Sequence, residues 1–153
     1  MTKALVEWLA AHPFNWKDAN VEGLAAAAGF VRSERTEHRT SFVKDGLFLV
    51  AYHPDGDIGW VDIELWNHAA PEDEKAYHRV EKAIEREYRD ALLEMGTAAG
   101  PAAFEGTLDD AGFPEDQDAV RLAQWNKAWG RLLLKSQHEG REMPLTLVVT
   151  LAR

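Results

Sequence analysis

The amino-acid sequence predicts an α+β fold in which two α-β-β-β units form an antiparallel sheet of about six strands, with helices packed on one face. The main reason is a pattern that occurs twice. The block that begins at Gly46 can be aligned, without insertions or deletions, with a second block that begins at Gly130. Each block holds an apolar run, a turn and a second apolar run, and the turns are Asp55-Gly56 and Glu139-Gly140. A segment with helical periodicity precedes each block, which completes the α-β-β-β order.

Two short helices are predicted at the start of the chain. Apolar side chains recur at helical spacing over residues 3–11, and Pro13 ends that pattern. The second helix is predicted to begin near Asp18, a residue type favoured at N-caps, and to end at Gly29, which suits the position after a helix. One apolar stripe runs along it, formed by Val21, Leu24, Ala25 and Ala28.

Strands follow the second helix. Residues 30–44 have the pattern of a polar strand with a bend near 36–38, and Lys44-Asp45-Gly46 is typical of a hairpin turn. The segment 47–53 is apolar on both faces, which indicates a central strand. In the segment 58–66 apolar and acidic side chains alternate, as expected for a strand with one buried face.

One long amphipathic helix is predicted over residues 71–95. Pro71 suits the first turn of a helix, and the acidic residues that follow it favour the positive end of the helix dipole. Gly96 is the predicted end of the helix. Apolar side chains recur along it every three or four residues, at Tyr77, Val80, Ile84, Tyr88, Leu92 and Met95.

Three more strands are predicted near the end of the chain, over residues 119–126, 130–138 and 144–152. Residues 96–118 form the least regular part of the sequence. No linker or low-complexity tract divides the chain, so residues 1–153 are predicted to be a single α+β domain. The last strand alternates most clearly, with a core-facing row of Leu145, Leu147, Val149 and Leu151.

The composition limits the classes of function. A formal net charge of −9 argues against nucleic acid as a ligand, because phosphate contacts require clustered lysine and arginine. The chain has no cysteine, so disulfides and thiolate metal sites are excluded. No apolar run approaches the roughly 20 residues that span a membrane, and Glu7 interrupts any signal-peptide core. We therefore expect a cytoplasmic protein, monomeric or homodimeric, that binds neither membranes nor nucleic acid.

Candidate catalytic and metal-binding residues are few. Residues 53–57 offer three possible metal ligands, but the position that an EF-hand fills with glutamate is Trp66. The six histidines lack close-paired spacing, and no nucleophile-elbow, P-loop or dinucleotide motif is present. Asp62 and Glu64 lie on one predicted strand face with two tryptophans, Trp60 and Trp66. Such a carboxylate pair could serve a small hydrolase, which stays an alternative, but otherwise we expect no catalytic residue, metal or cofactor.

Two features favour protein binding. Residues 105–118 contain six carboxylates and no cation. They form either a solvated loop or a surface that mimics phosphates or meets a basic partner. Trp129, in a tight connection between strands, is a predicted exposed anchor, whereas Trp8, Trp60 and Trp125 are assigned to the core. The predicted partner-binding residues are Glu105, Asp109, Asp110, Phe113, Glu115, Asp116, Asp118 and Trp129.

The tryptophan-rich segment 125–134 and the closing segment 142–147 resemble small acidic immunity proteins encoded beside bacterial polymorphic toxins. That resemblance implies a single α+β domain without catalytic residues, which binds one toxin and blocks its active site. The order of helices and strands also resembles secretion chaperones, which cradle an effector segment and usually dimerise. Neither resemblance assigns functional residues. We therefore predict a non-catalytic inhibitor of a cognate bacterial toxin, with an effector-binding chaperone as the alternative.

Overall fold

The computed structural model describes residues 1–138, 140 and 142–153. That part of the chain contains three helices, α1 (Thr2–Ala11), α2 (Asp18–Ala28) and α3 (Glu74–Ala99). It also contains eight strands, β1 (Val31–Arg35), β2 (Arg39–Lys44), β3 (Leu47–Tyr52), β4 (Trp60–His68), β5 (Phe104–Thr107), β6 (Arg121–Lys127), β7 (Gly130–Gln137) and β8 (Leu145–Ala152). No helix among the described residues is both long and apolar enough to cross a membrane.

The strands form one antiparallel sheet in the order β1-β2-β3-β4-β8-β7-β6-β5. Two meanders, β1–β4 and β5–β8, meet where β4 pairs with β8, with Val61 opposite Leu151 and Ile63 opposite Val149. The predicted α+β class and the antiparallel sheet are confirmed. The two apolar blocks of the repeat become the hairpin strands β3–β4 and the strands β7–β8 at the centre of the sheet.

The sheet has eight strands rather than about six, because each meander contains four strands instead of three. The predicted polar strand over residues 30–44 turns back on itself at 36–38, where a bend was expected, and becomes the hairpin β1–β2. The segment predicted to be least regular supplies the short strand β5, which pairs with β6. A four-residue strand with a glycine in it gives too little alternation to be recognised from sequence.

The turn signals are largely confirmed. Asp45 and Gly46 have φ values of 49° and 79°, as a tight hairpin between β2 and β3 requires. The second predicted turn, Glu139-Gly140, falls on residue 139, which lies outside the described residues.

All three helices lie on one face of the sheet, which we call the inner face. Helix α3 contacts β4, β7 and β8 at the centre, and α1 packs against α3 and α2. The inner core contains Leu49, Ile63, Leu134 and Val149 from the strands, with Tyr88 and Met95 from α3. Helix α2 is held at the side of the sheet, where Lys44 Nζ donates to Ala28 O at 2.8 Å.

Helix α3 begins and ends later than predicted. The side chain of Asp73 caps it by accepting a hydrogen bond from Ala76 N at 2.7 Å, so the proline at residue 71 lies outside the helix. Gly96 lies within the helix, and Gly100, with a φ of 83°, ends it. One glycine costs a helix only about 1 kcal/mol, which the burial of the neighbouring Met95 offsets.

Candidate protein-binding surface

The face of the sheet opposite the helices, which we call the outer face, has two different halves. Over β6 and β7 it is covered by residues 108–120, the connection between β5 and β6, which we call the covering loop. A second, smaller core lies beneath this loop. It consists of Ala119, Leu122, Leu133 and Ala152, and Phe104 and Phe113 pack against it. The rings of these two phenylalanines meet edge to face, with their centroids 6.1 Å apart.

The acidic residues of the covering loop partly serve to hold it in place. Both carboxylate oxygens of Asp116 accept hydrogen bonds from Arg131 on β7, at 3.0 and 2.5 Å. Asp110 Oδ2 accepts from the backbone and hydroxyl of Thr107 at 2.6 and 3.0 Å. These contacts lower the pKa of Asp116 to about 2 and also lower the pKa of Asp110. The segment is therefore more than a solvated acidic loop, because two of its carboxylates stabilise the fold.

The predicted partner-binding residues do not form one surface. Glu105 is exposed on β5 beside Tyr88 of α3, on the helix side of the sheet, whereas Asp116 lies over the outer face. Phe113 is half-buried in the smaller core. The remaining carboxylates, Asp109, Glu115 and Asp118, are exposed on the covering loop.

Trp129 is not the exposed anchor that its position in the sequence suggests. It is half-buried, and its ring packs near Phe14 and Trp16 at centroid distances of 5.9 and 6.2 Å. Its carbonyl accepts a hydrogen bond from Trp16 Nε1 at 2.9 Å. The tight connection between β6 and β7 folds back onto the N-terminal part of the chain, a long-range contact that local sequence does not reveal.

We expect Asp116→Asn to lower the free energy of unfolding by about 1 kcal/mol, because it removes a charge-assisted pair with Arg131 that solvent partly screens. The folded-state pKa lies below the ordinary aspartate value of 3.8, so this stabilisation is complete above that pH and disappears as the pH falls toward about 2. Denaturant unfolding at pH 7 and at pH 2.5 measures both effects. Asp109→Asn is the control, since Asp109 is exposed and has no ion pair among the described residues. Equal midpoints for the two variants at pH 7 would contradict the pairing.

The outer face of the first meander is uncovered in the described part of the chain. Three large apolar side chains on it are exposed: Val31 (69%), Phe48 (45%) and Trp60 (38%). The Trp60 ring stacks on the Tyr52 ring, with their centroids 4.7 Å apart. Because Trp60 is exposed on the outer face, its assignment to the core was wrong. We call this surface the open face, and its apolar residues are Val31, Val43, Phe48, Val50, Tyr52 and Trp60.

The two halves differ because their connections differ. The turn between β1 and β2 consists only of residues 36–38. The equivalent connection in the second meander, between β5 and β6, is the much longer covering loop. A three-residue turn cannot reach back over a sheet, so the β1–β2 connection does not cover the open face. An exposed apolar sheet surface of this kind is typical of a binding site.

The carboxylates on the open face each have hydrogen-bond partners. Asp62 Oδ1 accepts from Thr150 Oγ1 and lies 3.9 Å from Lys135 Nζ. Glu64 Oε2 accepts from Phe48 N at 3.2 Å and from the amide of Asn67 at 3.1 Å. Trp66 does not share their face, because the β4–β8 register shifts between residues 64 and 66 and Trp66 packs against the inner core. The sequence could not show this shift.

A cleft of about 390 Å³ marks the boundary between the open face and the covering loop. Trp60 lines one side and residues 116–118 line the other. Lys135 lies in its floor with only 8% of its side chain exposed. Burial lowers the pKa of Lys135, while the nearby carboxylate of Asp62 opposes that effect. The positive charges of the cleft therefore lie near negative ones, with Lys135 beside Asp62 and Arg131 paired with Asp116.

The sheet edges are poorly suited to binding. The edge strand β1 carries Arg32, Glu34 and Arg35 and a register shift between residues 32 and 34, and both features discourage pairing with another strand. The other edge, β5, is only four residues long. The open face is therefore the more favourable surface for a partner.

Among the described residues, no group of three or more histidine, aspartate or glutamate side chains is placed to hold a metal ion. No family model matches the chain, and comparisons with curated proteins and with solved structures give no significant match.

Proposed function

We propose that this chain is a non-catalytic binding protein, an immunity-type inhibitor that binds and neutralises a cognate bacterial toxin. The observation that carries the proposal is the open face, where Val31, Phe48 and Trp60 are exposed on the sheet. Exposing such side chains to water has a free-energy cost of about 25 cal/mol per Å² of apolar surface, which a bound partner would recover. Aromatic side chains at the centre of a surface are also the commonest binding hot spots.

The polar groups near the open face support binding rather than chemistry. Asp62 and Glu64, the pair considered for a hydrolase, are each engaged in hydrogen bonds of the fold. Arg131 is held by both oxygens of Asp116. A general acid or base needs an atom within hydrogen-bond reach of the substrate. The carboxylates of Asp62, Glu64 and Asp116 instead form hydrogen bonds that hold strands and the covering loop in place.

The chaperone alternative draws on the same open face, because an extended effector segment could also lie across exposed strands. The two functions differ in the state of the bound partner. An inhibitor binds a folded toxin, whereas a chaperone copurifies with an extended, partly unfolded effector. Hydrogen exchange of the copurified partner separates them, since only a folded toxin would keep slowly exchanging amides.

Coexpression tests the proposed function directly. Each product of a gene adjacent to this one would be expressed alone in bacteria and then together with this protein. We expect one product to arrest growth alone, and we expect coexpression to restore growth and to give a complex that survives gel filtration. If no adjacent product arrests growth, or if rescue occurs without a complex, the inhibitor assignment is wrong.

A further inference from the structure

We infer that the open face docks a basic segment of the partner, with Glu64 as the fixed carboxylate that receives a lysine or arginine beside the apolar contact at Phe48. This inference rests on the proposed function and adds the chemistry of the partner. Three observations support the inference. They are the hydrogen bonds of Glu64, the charge around the open face, and the contacts by which the covering loop packs on the outer face of β6 and β7.

The carboxylate of Glu64 is held in place by neutral donors alone. The paired part of β3 and β4 ends at Leu49 and Ile63, and the next backbone N–H, that of Phe48, donates to Glu64 Oε2. The amide of Asn67 donates to the same oxygen and also to Gly46 O. Within the described residues, Oε1 has no hydrogen-bond partner and no cation lies within 4.0 Å of the carboxylate.

A carboxylate in this state is prepared to bind a cation. Two neutral hydrogen bonds fix its orientation, so Glu64 loses less side-chain entropy when a partner's cation pairs with it. Phe48, whose backbone N–H is one of these donors, is 45% exposed and offers apolar surface to a partner next to the carboxylate. Other charges on this face are already compensated, because Arg39 pairs with Glu34 at 3.1 Å and Lys135 lies near Asp62.

The charge around the open face selects a basic partner over a second copy of this chain. The turns that border it carry Asp45, Asp55 and Asp57, all exposed, and the whole chain has a net charge of −9. Two copies placed face to face would bring these like charges together, which costs free energy. A basic segment would instead gain from them, and its association would be faster at low salt.

The covered half of the sheet shows how such a face is closed in this protein. The covering loop places an aromatic side chain, Phe113, against Phe104 on the sheet. Beside it, a carboxylate and an arginine form the paired contact Asp116–Arg131. A partner that places separate apolar side chains against Phe48 and Trp60, and a lysine or arginine against Glu64, would form the same combination of contacts. The carboxylate would then be on the sheet and the cation on the partner.

The test uses a synthetic peptide of alternating arginine and phenylalanine as the probe, followed by NMR of the ¹⁵N-labelled full chain. We expect the largest shifts at the Trp60 indole N–H and at the amides of Phe48 and Glu64. Two control peptides separate the contributions: one keeps phenylalanine but replaces arginine with glutamate, and the other keeps arginine but replaces phenylalanine with serine. Both should bind more weakly than the probe, because each lacks one half of the contact.

Glu64→Gln is the decisive variant, because glutamine can still accept the hydrogen bond from Phe48 N while losing the charge. We expect it to weaken the peptide about tenfold and to reduce the salt dependence of binding. Its control is Glu94→Gln, which removes the same charge from an exposed position on α3. Phe48→Ser should weaken binding likewise, whereas Leu93→Ser, at a position that is 72% exposed on α3, should not.

The inference is overturned if Glu64→Gln and Glu94→Gln have equal effects, or if the shifts fall on residues 105–118 instead. It is also overturned if the free protein sediments as a dimer that Phe48→Ser converts to a monomer, since a second copy would then occupy the open face. The same variants in the coexpression experiment distinguish the two proposals. Rescue by Glu64→Gln and Phe48→Ser equal to that of the unmodified chain would leave the inhibitor function standing and refute this docking surface.

Discussion

Ile84→Asp is expected to unfold the protein. Ile84 lies on the buried side of α3, in the inner core, and 7% of it is exposed. The change loses about 1.5 to 3 kcal/mol of apolar burial and adds the cost of a carboxylate in an apolar environment. A total loss of about 4 kcal/mol or more is comparable to the whole net stability of a domain of this size. Circular dichroism during heating measures the effect as loss of a cooperative transition.

Leu93→Asp on the same helix is the matched control. Leu93 is 72% exposed, so the same chemical change places a carboxylate in water. We expect its melting temperature to stay within a few degrees of that of the unmodified protein. A melting transition for Ile84→Asp as high as that of Leu93→Asp would show that this side of α3 does not pack on the sheet.

The part of the fold that could be predicted is the part governed by local periodicity. The apolar spacing of α3, with Val80, Ile84 and Tyr88 on one side, identified the helix and its buried face correctly. The alternation in β8 and the turn at Asp45-Gly46 were equally informative. In each case the signal lies within one element, where side-chain direction follows directly from the helix or strand period.

The candidate site could not be predicted in the same way, because it depends on which strand face the chain itself covers. Phe48 lies in an apolar strand that resembles a fully buried one, yet it is 45% exposed, and the short turn at 36–38 provides no cover for it. Conversely, Phe113 and Asp116 lie in a segment with the composition of a solvated loop, and their contacts with β5 and β7 are long-range. Neither outcome is encoded in the spacing of neighbouring residues.

Gly130→Ala is expected to lower the free energy of unfolding by about 3 kcal/mol, the second largest effect that we expect for a single substitution. A Cβ at this position would lie 2.2 Å from Ala152 O, and the contact is with backbone, which a side-chain rotation cannot relieve. Its φ of 144° is also one that side chains other than glycine rarely adopt. The alanine would therefore push β7 away from the end of β8 at the centre of the sheet. Urea denaturation of both proteins measures the loss.

Two other glycines serve as controls and separate the causes. Gly96→Ala adds a Cβ with nothing within 4 Å in the last turn of α3, so we expect a gain of at most about 1 kcal/mol. Gly46, the counterpart of Gly130 in the sequence repeat, also has open space around it but has a φ of 79°. Gly46→Ala should therefore cost only about 1 kcal/mol, from backbone strain alone. If Gly46→Ala and Gly130→Ala were equally destabilising, strain would explain both, and the close approach of β7 to the end of β8 would contribute nothing. The two aligned glycines of the repeat thus occupy equivalent places in the chain for different physical reasons.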